Sequence, residues 1–335
     1  MPGGNRSLFL IWTPDPSPVK SRPGGVKTTL TAGFYGPILY RMEAIRSLNN
    51  HEVRRRQIWT DDGVRLDVRY LGHERAPCVL LAHGFGQTQF AWAETARHLA
   101  ASGWQAVTYD ARGHGNSDRA PSNRYLFEQF VEDFRRVCSS LPHPPLLIGA
   151  SMGGLTALLA HSEKPIAELR ALVLIDIAPR WDERGVEAMI SFMRQHPKGF
   201  ATLDEARESV RTFLPHRRSA ATTEGLKRNL RQGSDGRWYW HWDPAMLALA
   251  ERSKNLQSRL KSAARKLKKP TLLISGGKSE LISDEHVEEF LKLAPHAEHV
   301  SVADSGHMVA GDANDRFLHA AVPFLKKYSA EGGTK

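Results

Sequence analysis

The sequence is poor in cysteine and has no long hydrophobic run. Its 335 residues include only two cysteines, Cys78 and Cys138, and both lie in apolar segments. Two cysteines cannot supply a cysteine-type metal site, and their placement predicts buried, reduced thiols in a cytoplasmic protein. No apolar stretch approaches the roughly 20 residues that a membrane-spanning helix needs. We therefore exclude an integral membrane protein and expect a cytoplasmic location.

Sequence motifs for the common cofactors are also missing. No Gly-x-Gly-x-x-Gly follows a strand with the acidic partner that a dinucleotide site requires, and there is no Walker loop. The histidines form no cluster with the spacing of metal ligands. These absences predict chemistry that needs neither a cofactor nor a metal ion.

Acidic residues are fewer than basic ones, which gives a formal net charge of +10. Much of the excess lies in residues 251–269, which contain eight Lys or Arg and one acid. In the same segment Leu256, Leu260 and Leu267 are spaced to form one apolar stripe of a helix. We interpret this segment as a helix that docks through its leucines and exposes a solvated basic face. A weak contact with an anionic surface stays open, and no nucleic-acid partner is expected.

Residues 1–53 differ in composition from the remainder of the chain. They contain few acids and are interrupted by "PDPSP" and "SRPGG", which predicts a flexible extension. The apolar run "LFLIW" is too short for a secretory signal, whereas an organelle transit peptide is compatible with the composition.

Strands and helices alternate from residue 54 onward. This alternation predicts an α/β fold with a mainly parallel sheet covered by helices on both faces, built from residues 54–180 and 266–330. The segment "RRQIWTDDGVRLDVRYLG" predicts an antiparallel pair of strands at one edge.

Residues 181–265 are mostly helical and charged, and we interpret them as a lid inserted after the sixth strand. Trp238, Trp240 and Trp242 either line a pocket under this lid or pack the lid onto the core.

The stretch "LLIGASMGG" places a serine where a strand passes into a helix. Gly149 to Gly153 fit the pattern Gly-x-Ser-x-Gly, a strained turn that exposes the Ser151 hydroxyl above a parallel sheet. The two glycines lack Cβ atoms, so strand and helix can approach closely behind the turn. A serine needs a base and an oriented acid to become a nucleophile at neutral pH. The sequence supplies Glu280 after the strand "TLLISGG" and His307 after "HVSVADSG", in the order that this motif requires.

Taken together, these motifs resemble those of the α/β-hydrolase fold family. The resemblance spans about residues 54–328 and rests on "LLAHGFG", "YDARGHGNSD", "IGASMGG", "LLISGGKSELIS" and "SGHMVAGD". It implies that Ser151 is the nucleophile, that His307 is the base, and that the backbone amides of Phe85 and Met152 form an oxyanion hole. In the same pattern His83 usually braces the loop after the third strand.

The orienting acid departs from the commonest form of the family. Members usually have an aspartate after the glycines of the penultimate strand, and Glu280 stands there in this chain. The motif admits either acid, so we expect Glu280 to orient His307. Asp176, at the end of "LVLIDIAP", is the alternative, since a few members place their acid there. Asp284 fits better as a helix N-cap.

The resemblance implies hydrolysis of a small carboxylic ester or lactone through an acyl-enzyme. Thioesters and carbon–carbon bonds stay open as substrates, and so does a hydrolase-like receptor in which turnover is incidental. Epoxide hydrolases and haloalkane dehalogenases of the same fold have an aspartate at the elbow, and Ser151 argues against both. The sequence does not name the substrate or the oligomeric state.

Overall fold

The computed structural model describes residues 53–213, 223–249, 255–303, 305–307 and 314–329. The predicted extension 1–53 therefore lies outside the described residues, apart from Val53. The first residues of the predicted basic segment, 251–254, lie outside them as well.

In the part of the chain that the structure describes, ten strands form one large sheet and one small hairpin. Their bounds are β1 Arg54–Trp59, β2 Arg65–Leu71, β3 Cys78–Ala82, β4 Gln105–Tyr109, β5 Leu146–Ala150, β6 Ala171–Ile175, β7 Leu230–Gln232, β8 Trp238–Trp240, β9 Thr271–Gly276 and β10 Glu298–Val302. The large sheet has the order β1-β2-β4-β3-β5-β6-β9-β10. Its pairs are parallel except β1 with β2 and β2 with β4, so the predicted antiparallel pair does begin at an edge.

Helices cover both faces of this sheet, as the sequence predicts. Their bounds are α1 Ala93–Ala101, α2 Phe127–Ser139, α3 Met152–Glu163, α4 Glu183–Arg194, α5 Leu203–Phe213, α6 Thr223–Lys227, α7 Leu256–Lys266, α8 Asp284–Leu293 and α9 Asn314–Ser329. One apolar cluster joins the sheet to α2, α3, α7 and α8, and a second joins its other face to α1 and α9. The central strands are buried along their whole length because both faces are covered.

The chain between β6 and β9 departs in two ways from a purely helical lid. First, β7 and β8 form an antiparallel hairpin, which the sequence analysis did not predict. Second, α7 packs on α3 in the layer that covers the sheet, with Leu260 and Ala264 fully buried in that cluster. The apolar stripe of α7 therefore docks on the core, as expected for the basic helix. The last residues of the predicted lid, 256–265, thus belong to the layer that covers the sheet, and the other bounds of the lid stay a prediction.

The basic face of α7 is partly neutralised by the core. Arg259 pairs with Glu128 and Glu163, and Lys261 forms an ion pair with Glu289 at 2.7 Å. These ion pairs indicate that basic residues of α7 help to hold the helix on the core. Contact of its other basic residues with an anionic surface stays a prediction.

The insertion contacts loops at the carboxyl edge of the sheet. The Asp182 amide donates to Leu281 O at 2.8 Å beyond β9, and the Asp243 amide donates to Gly113 O at 2.9 Å beyond β4. Trp240 and Trp242 lie with nearly parallel rings 6.5 Å apart, and Trp242 is buried in the main apolar cluster. These tryptophans therefore pack the insertion onto the core.

Both cysteines are buried and unpaired, as the composition suggests. Burial raises the pKa of the Cys78 thiol to about 12.

Among the residues that the structure describes, no helix is both long and apolar enough to cross a bilayer, and no group of His, Cys, Asp and Glu could hold a metal ion. The cytoplasmic location stays a prediction.

Candidate active site

Ser151 lies at a sharp turn between β5 and α3. Its backbone has φ 48° and ψ −123°, a left-handed conformation that costs a non-glycine residue about 1–3 kcal/mol. A Cβ at Gly149 would lie 2.6 Å from Gly154 Cα, and one at Gly153 would lie 2.5 Å from Ala82 O. The flanking glycines thus permit the close approach of β5, α3 and β3 that places the serine at the carboxyl edge of the sheet.

Asp176 follows the neighbouring strand, β6, and also has a left-handed backbone, with φ 47°. Its fully buried carboxylate lies 2.6 Å, Oδ2 to Nδ1, from the His307 ring. The Gly276 amide donates to Oδ1 at 2.8 Å, and the Ser279 hydroxyl donates to Oδ2 at 2.5 Å. Three donors therefore hold this carboxylate in place beneath the imidazole.

Glu280 does not occupy the position expected for the orienting acid. Its side chain is exposed, and its Oε2 accepts a long hydrogen bond of 3.4 Å from the backbone amide of His307. The ring nitrogen of His307 faces Asp176 instead. The geometry thus favours the alternative acid that follows β6, and the role of either acid stays a proposal. The physical reason is the left-handed backbone of Asp176, which turns its carboxylate along the sheet edge towards β9 and β10.

Ser151 and His307 lie at the same edge, but no hydrogen bond joins them in the described part of the chain. Such bonds are often long in unliganded enzymes and shorten when substrate binds. Among the described residues, the hydrogen-bond partner of the His307 ring is Asp176.

Phe85 and Met152 are placed where an oxyanion hole requires donors. Met152 begins α3, and the first amides of a helix have no intrahelical acceptor. In the loop after β3 the amides of Gly84, Gly86 and Gln87 donate to Gln87, His114 and Gly84. Within the described residues the Phe85 amide of this loop donates to no acceptor. A Cβ on Gly84 would lie 3.2 Å from Ser151 Cβ, so the loop borders the serine.

Three buried histidines surround the same loop. His83 donates from Nδ1 to Gly84 O at 2.8 Å and accepts at Nε2 from the Ala111 amide at 3.0 Å, so it braces the loop as expected. The other two, His114 and His241, both contact Gly86. The sequence analysis did not assign them a role. His241 lies within the aromatic cluster "RWYWHWDP", of which the sequence analysis considered only the tryptophans.

The polar groups of "YDARGHGNSD" form internal contacts that stabilise the turn after β4. Asp110 accepts from the Gln89 and Asn116 amides at 2.7 and 2.9 Å. The buried Arg112 guanidinium binds Asp133 and Asp62. Neither group is free to act on a substrate.

Apolar side chains of the insertion lie over the oxyanion loop. A Cβ on Gly86 would lie 3.1 Å from the Met193 methyl group and 3.8 Å from Trp242 Nε1. Phe85, Trp181 and Leu281 are half-buried against the same apolar cluster. The side chains of the insertion that lie against this loop are therefore mainly apolar.

Comparison with known proteins agrees with this architecture. The family model described as the alpha/beta hydrolase fold matches residues 77–313. An esterase of Mycobacterium tuberculosis is 28% identical over 248 residues, which cover 71% of this chain and 78% of the esterase. An sn-1-specific diacylglycerol lipase of Mus musculus is 27% identical over 266 residues, which cover 76% of this chain and 82% of the lipase.

Solved structures show the same fold at lower identity. E-2-(acetamidomethylene)succinate hydrolase superposes with a TM-score of 0.73 at 23% identity, over 82% of this chain and all of that chain (100%). The M. tuberculosis esterase superposes with a TM-score of 0.65 at 22% identity, over 85% of this chain and 97% of its own.

Proposed function

Because the chain belongs to the α/β-hydrolase fold family and is a hydrolase, we propose that it cleaves carboxylic esters through an acyl-enzyme on Ser151. One observation carries the proposal: a strained serine elbow and an imidazole held by a buried carboxylate lie at one edge of the sheet. The roles proposed are Ser151 as nucleophile, His307 as base and Asp176 as orienting acid.

Acylation begins when Ser151 Oγ attacks the ester carbonyl carbon. His307 Nε2 takes the hydroxyl proton, and the Asp176 carboxylate, bound to Nδ1–H, stabilises the imidazolium that forms. The carbonyl oxygen becomes an oxyanion and accepts hydrogen bonds from the Phe85 and Met152 amides. The amino end of α3 adds a favourable electrostatic contribution at this point. His307 then protonates the leaving alkoxide as the C–O bond breaks, and an alcohol departs.

Deacylation repeats these steps with water in place of serine. His307 takes a proton from water, the hydroxide attacks the acyl carbon, and the proton returns to Ser151 Oγ as the acid is released. No cofactor is needed for either half-reaction.

The curated relatives favour esters over the other substrates. One is named an esterase and the other a diacylglycerol lipase, and both names refer to carboxylic esters. The apolar side chains above the loop, such as Met193 and Trp242, favour an acyl group without charge. Lactones, which are cyclic esters, fit the same chemistry.

A serine-directed probe tests the nucleophile. A fluorophosphonate should label the wild-type protein once, and Ser151→Ala should abolish both labelling and the hydrolysis of nitrophenyl esters of graded chain length. Ser275→Ala is the matched control, because Ser275 Oγ also contacts a histidine, His299, at 2.9 Å but lies within β9. This control should keep both activities.

Two outcomes would count against the proposal. Labelling that persists in Ser151→Ala would place the nucleophile elsewhere. A single slow turnover per molecule, seen as a burst without a steady state, would indicate a receptor rather than an enzyme.

A further inference from the structure

We propose that His241, a residue of the insertion, positions the oxyanion loop together with His83 and His114. The inference rests on the proposed function, because it concerns the donor that Phe85 offers to the reacting ester. It assigns a role to a residue that lies outside the serine, the histidine and the acid.

Each of three consecutive peptide groups in this loop is held by one histidine. His83 Nδ1–H donates to Gly84 O at 2.8 Å, which fixes the peptide between Gly84 and Phe85. His114 Nε2 accepts from the Gly86 amide at 3.1 Å, which fixes the next peptide. His241 Nε2–H donates to Gly86 O at 3.1 Å, which fixes the third.

The direction of the Phe85 amide follows from these contacts. In a trans peptide the N–H and C=O groups point in opposite directions. Since Gly84 O points towards His83, the N–H of Phe85 in the same peptide points away from it. The two peptides that follow cannot rotate to relax this arrangement, because Gly86 is held at its amide by His114 and at its carbonyl by His241.

Hydrogen bonds define one tautomer for each ring. The Gly115 amide donates to His241 Nδ1 at 2.8 Å, so the proton of this ring lies on Nε2 and faces Gly86 O. His114 Nδ1–H donates to Arg112 O at 3.0 Å, so its Nε2 is free to accept from Gly86. A ring that accepts from a backbone amide must be neutral at that nitrogen.

Burial supports the neutral state of these rings. It lowers the pKa of His241 to about 3 and holds the pKa of His114 well below its usual value. Among the described residues, the charged groups that act electrostatically on these rings are Asp110, on His83, and Arg231, on His241.

Of the three histidines, His241 alone belongs to the insertion. His83 and His114 belong to segments after β3 and β4, whereas His241 follows β8 of the hairpin. Correct docking of the insertion therefore completes the support of the oxyanion hole. The insertion then has a role in catalysis besides covering the substrate.

Three substitutions separate this positioning role from simple packing. His241→Phe fills the space without polar atoms. His241→Asn keeps an oxygen near the Gly115 amide but is too short to reach Gly86 O. His241→Gln offers an oxygen and an N–H about as far apart as the two ring nitrogens, with the N–H at the depth of Nε2.

We expect kcat for a nitrophenyl ester to fall by about 10- to 100-fold in His241→Phe and His241→Asn, because small misplacements of catalytic groups have effects of this size. KM should change less than about threefold, since the loop acts mainly in the transition state. His241→Gln should recover most of kcat. Tyr239→Phe on the same hairpin, which removes an exposed contact with Asp235, is the control and should match wild type.

The results distinguish failure of this inference from failure of the proposed function. Wild-type kcat in the folded Phe and Asn variants, or an equal loss of kcat in the Gln and Phe variants, would overturn the positioning role. If the Phe variant does not fold, the comparison of Asn with Gln decides the question. Absence of Ser151-dependent turnover in the wild-type protein would instead refute the proposed function.

Discussion

Asp176 combines strain with burial at a single position. Its φ of 47° is in the left-handed region, and its carboxylate is held by Gly276, Ser279 and His307. Strained residues persist where the surrounding structure determines them fully, and they cluster at functional sites. The conformation of Asp176 is thus better explained by orientation of an imidazole than by a role in the sheet.

Replacement of Asp176 by Asn should reduce kcat/KM by about 10³- to 10⁴-fold. The amide N–H would favour the tautomer of His307 whose proton lies on Nε2, and this ring could not accept the Ser151 proton. Steady-state kinetics at an equal folded fraction checks the effect.

Glu280→Gln is the matched control for that substitution. In the part of the chain that the structure describes, the Glu280 carboxylate accepts one long hydrogen bond, from the His307 amide at 3.4 Å, so kcat/KM of the variant should stay within about threefold of wild type. A severe loss in Glu280→Gln with near-normal activity in Asp176→Asn would restore the acid expected from the sequence.

The sequence could not decide between these two acids. Asp176 and Glu280 both follow buried strands, and both lie upstream of His307. The difference depends on a left-handed backbone at Asp176 and on donors from the loop after β9, which no local pattern encodes. Ser151 and His307 were easier to identify, because a short motif and a strand-to-turn position mark each of them.

At the scale of elements, α7 shows how a charged segment can belong to the core. Its polar side chains outnumber its apolar ones, yet Leu256 and Leu260 are buried, and so is Leu267 directly after its last residue. The helix packs on α3, which also bears the serine elbow at its amino end. Packing of α7 therefore supports the element that positions the nucleophile.

Leu260→Ala should destabilise the protein by about 2–5 kcal/mol. The side chain is fully buried in the cluster that joins the sheet to α3 and α7, and its removal leaves a cavity. Urea denaturation gives the free energy of unfolding. Arg265→Ala, on the exposed face of the same helix, should change this free energy by less than about 0.5 kcal/mol. Equal effects of both substitutions would mean that α7 is not docked as the structure shows.

Elements with strong periodicity were predictable, and short ones were not. The strands of the large sheet and the helices α1, α2 and α3 follow apolar patterns that the sequence displays clearly. The hairpin strands β7 and β8 have three residues each, too few to establish an alternation. Their pairing, Leu230 with Trp240 and Gln232 with Trp238, depends on contacts with the remainder of the insertion.

At the scale of the whole molecule, buried neutral histidines couple stability to pH. Burial lowers the pKa of His83, His114 and His241, the last to about 3. In the unfolded chain a histidine titrates near 6.5, so below that pH the unfolded state binds more protons than the folded state. The free energy of unfolding should therefore fall as pH decreases from about 6.5 towards 3.

Chemical denaturation at a series of pH values tests this coupling. His241→Gln removes one such group, so its free energy of unfolding should decrease less steeply than that of wild type between pH 6.5 and 4. An identical slope in the two proteins would show that His241 does not contribute. A rise in stability on acidification would contradict the assignment of neutral rings altogether.

The buried cysteines can be used to measure how often the folded protein opens. Cys78 on β3 and Cys138 on α2 are buried in the same apolar cluster as Leu260, and burial raises the pKa of both thiols. A thiol reagent can reach Cys78, which is 0% exposed, only in molecules whose helical layer has separated from the sheet. The rate of modification then measures the population of opened molecules without knowledge of a substrate. In Leu260→Ala this rate should rise by at least tenfold, because each 1.4 kcal/mol of lost stability increases an opening equilibrium about tenfold.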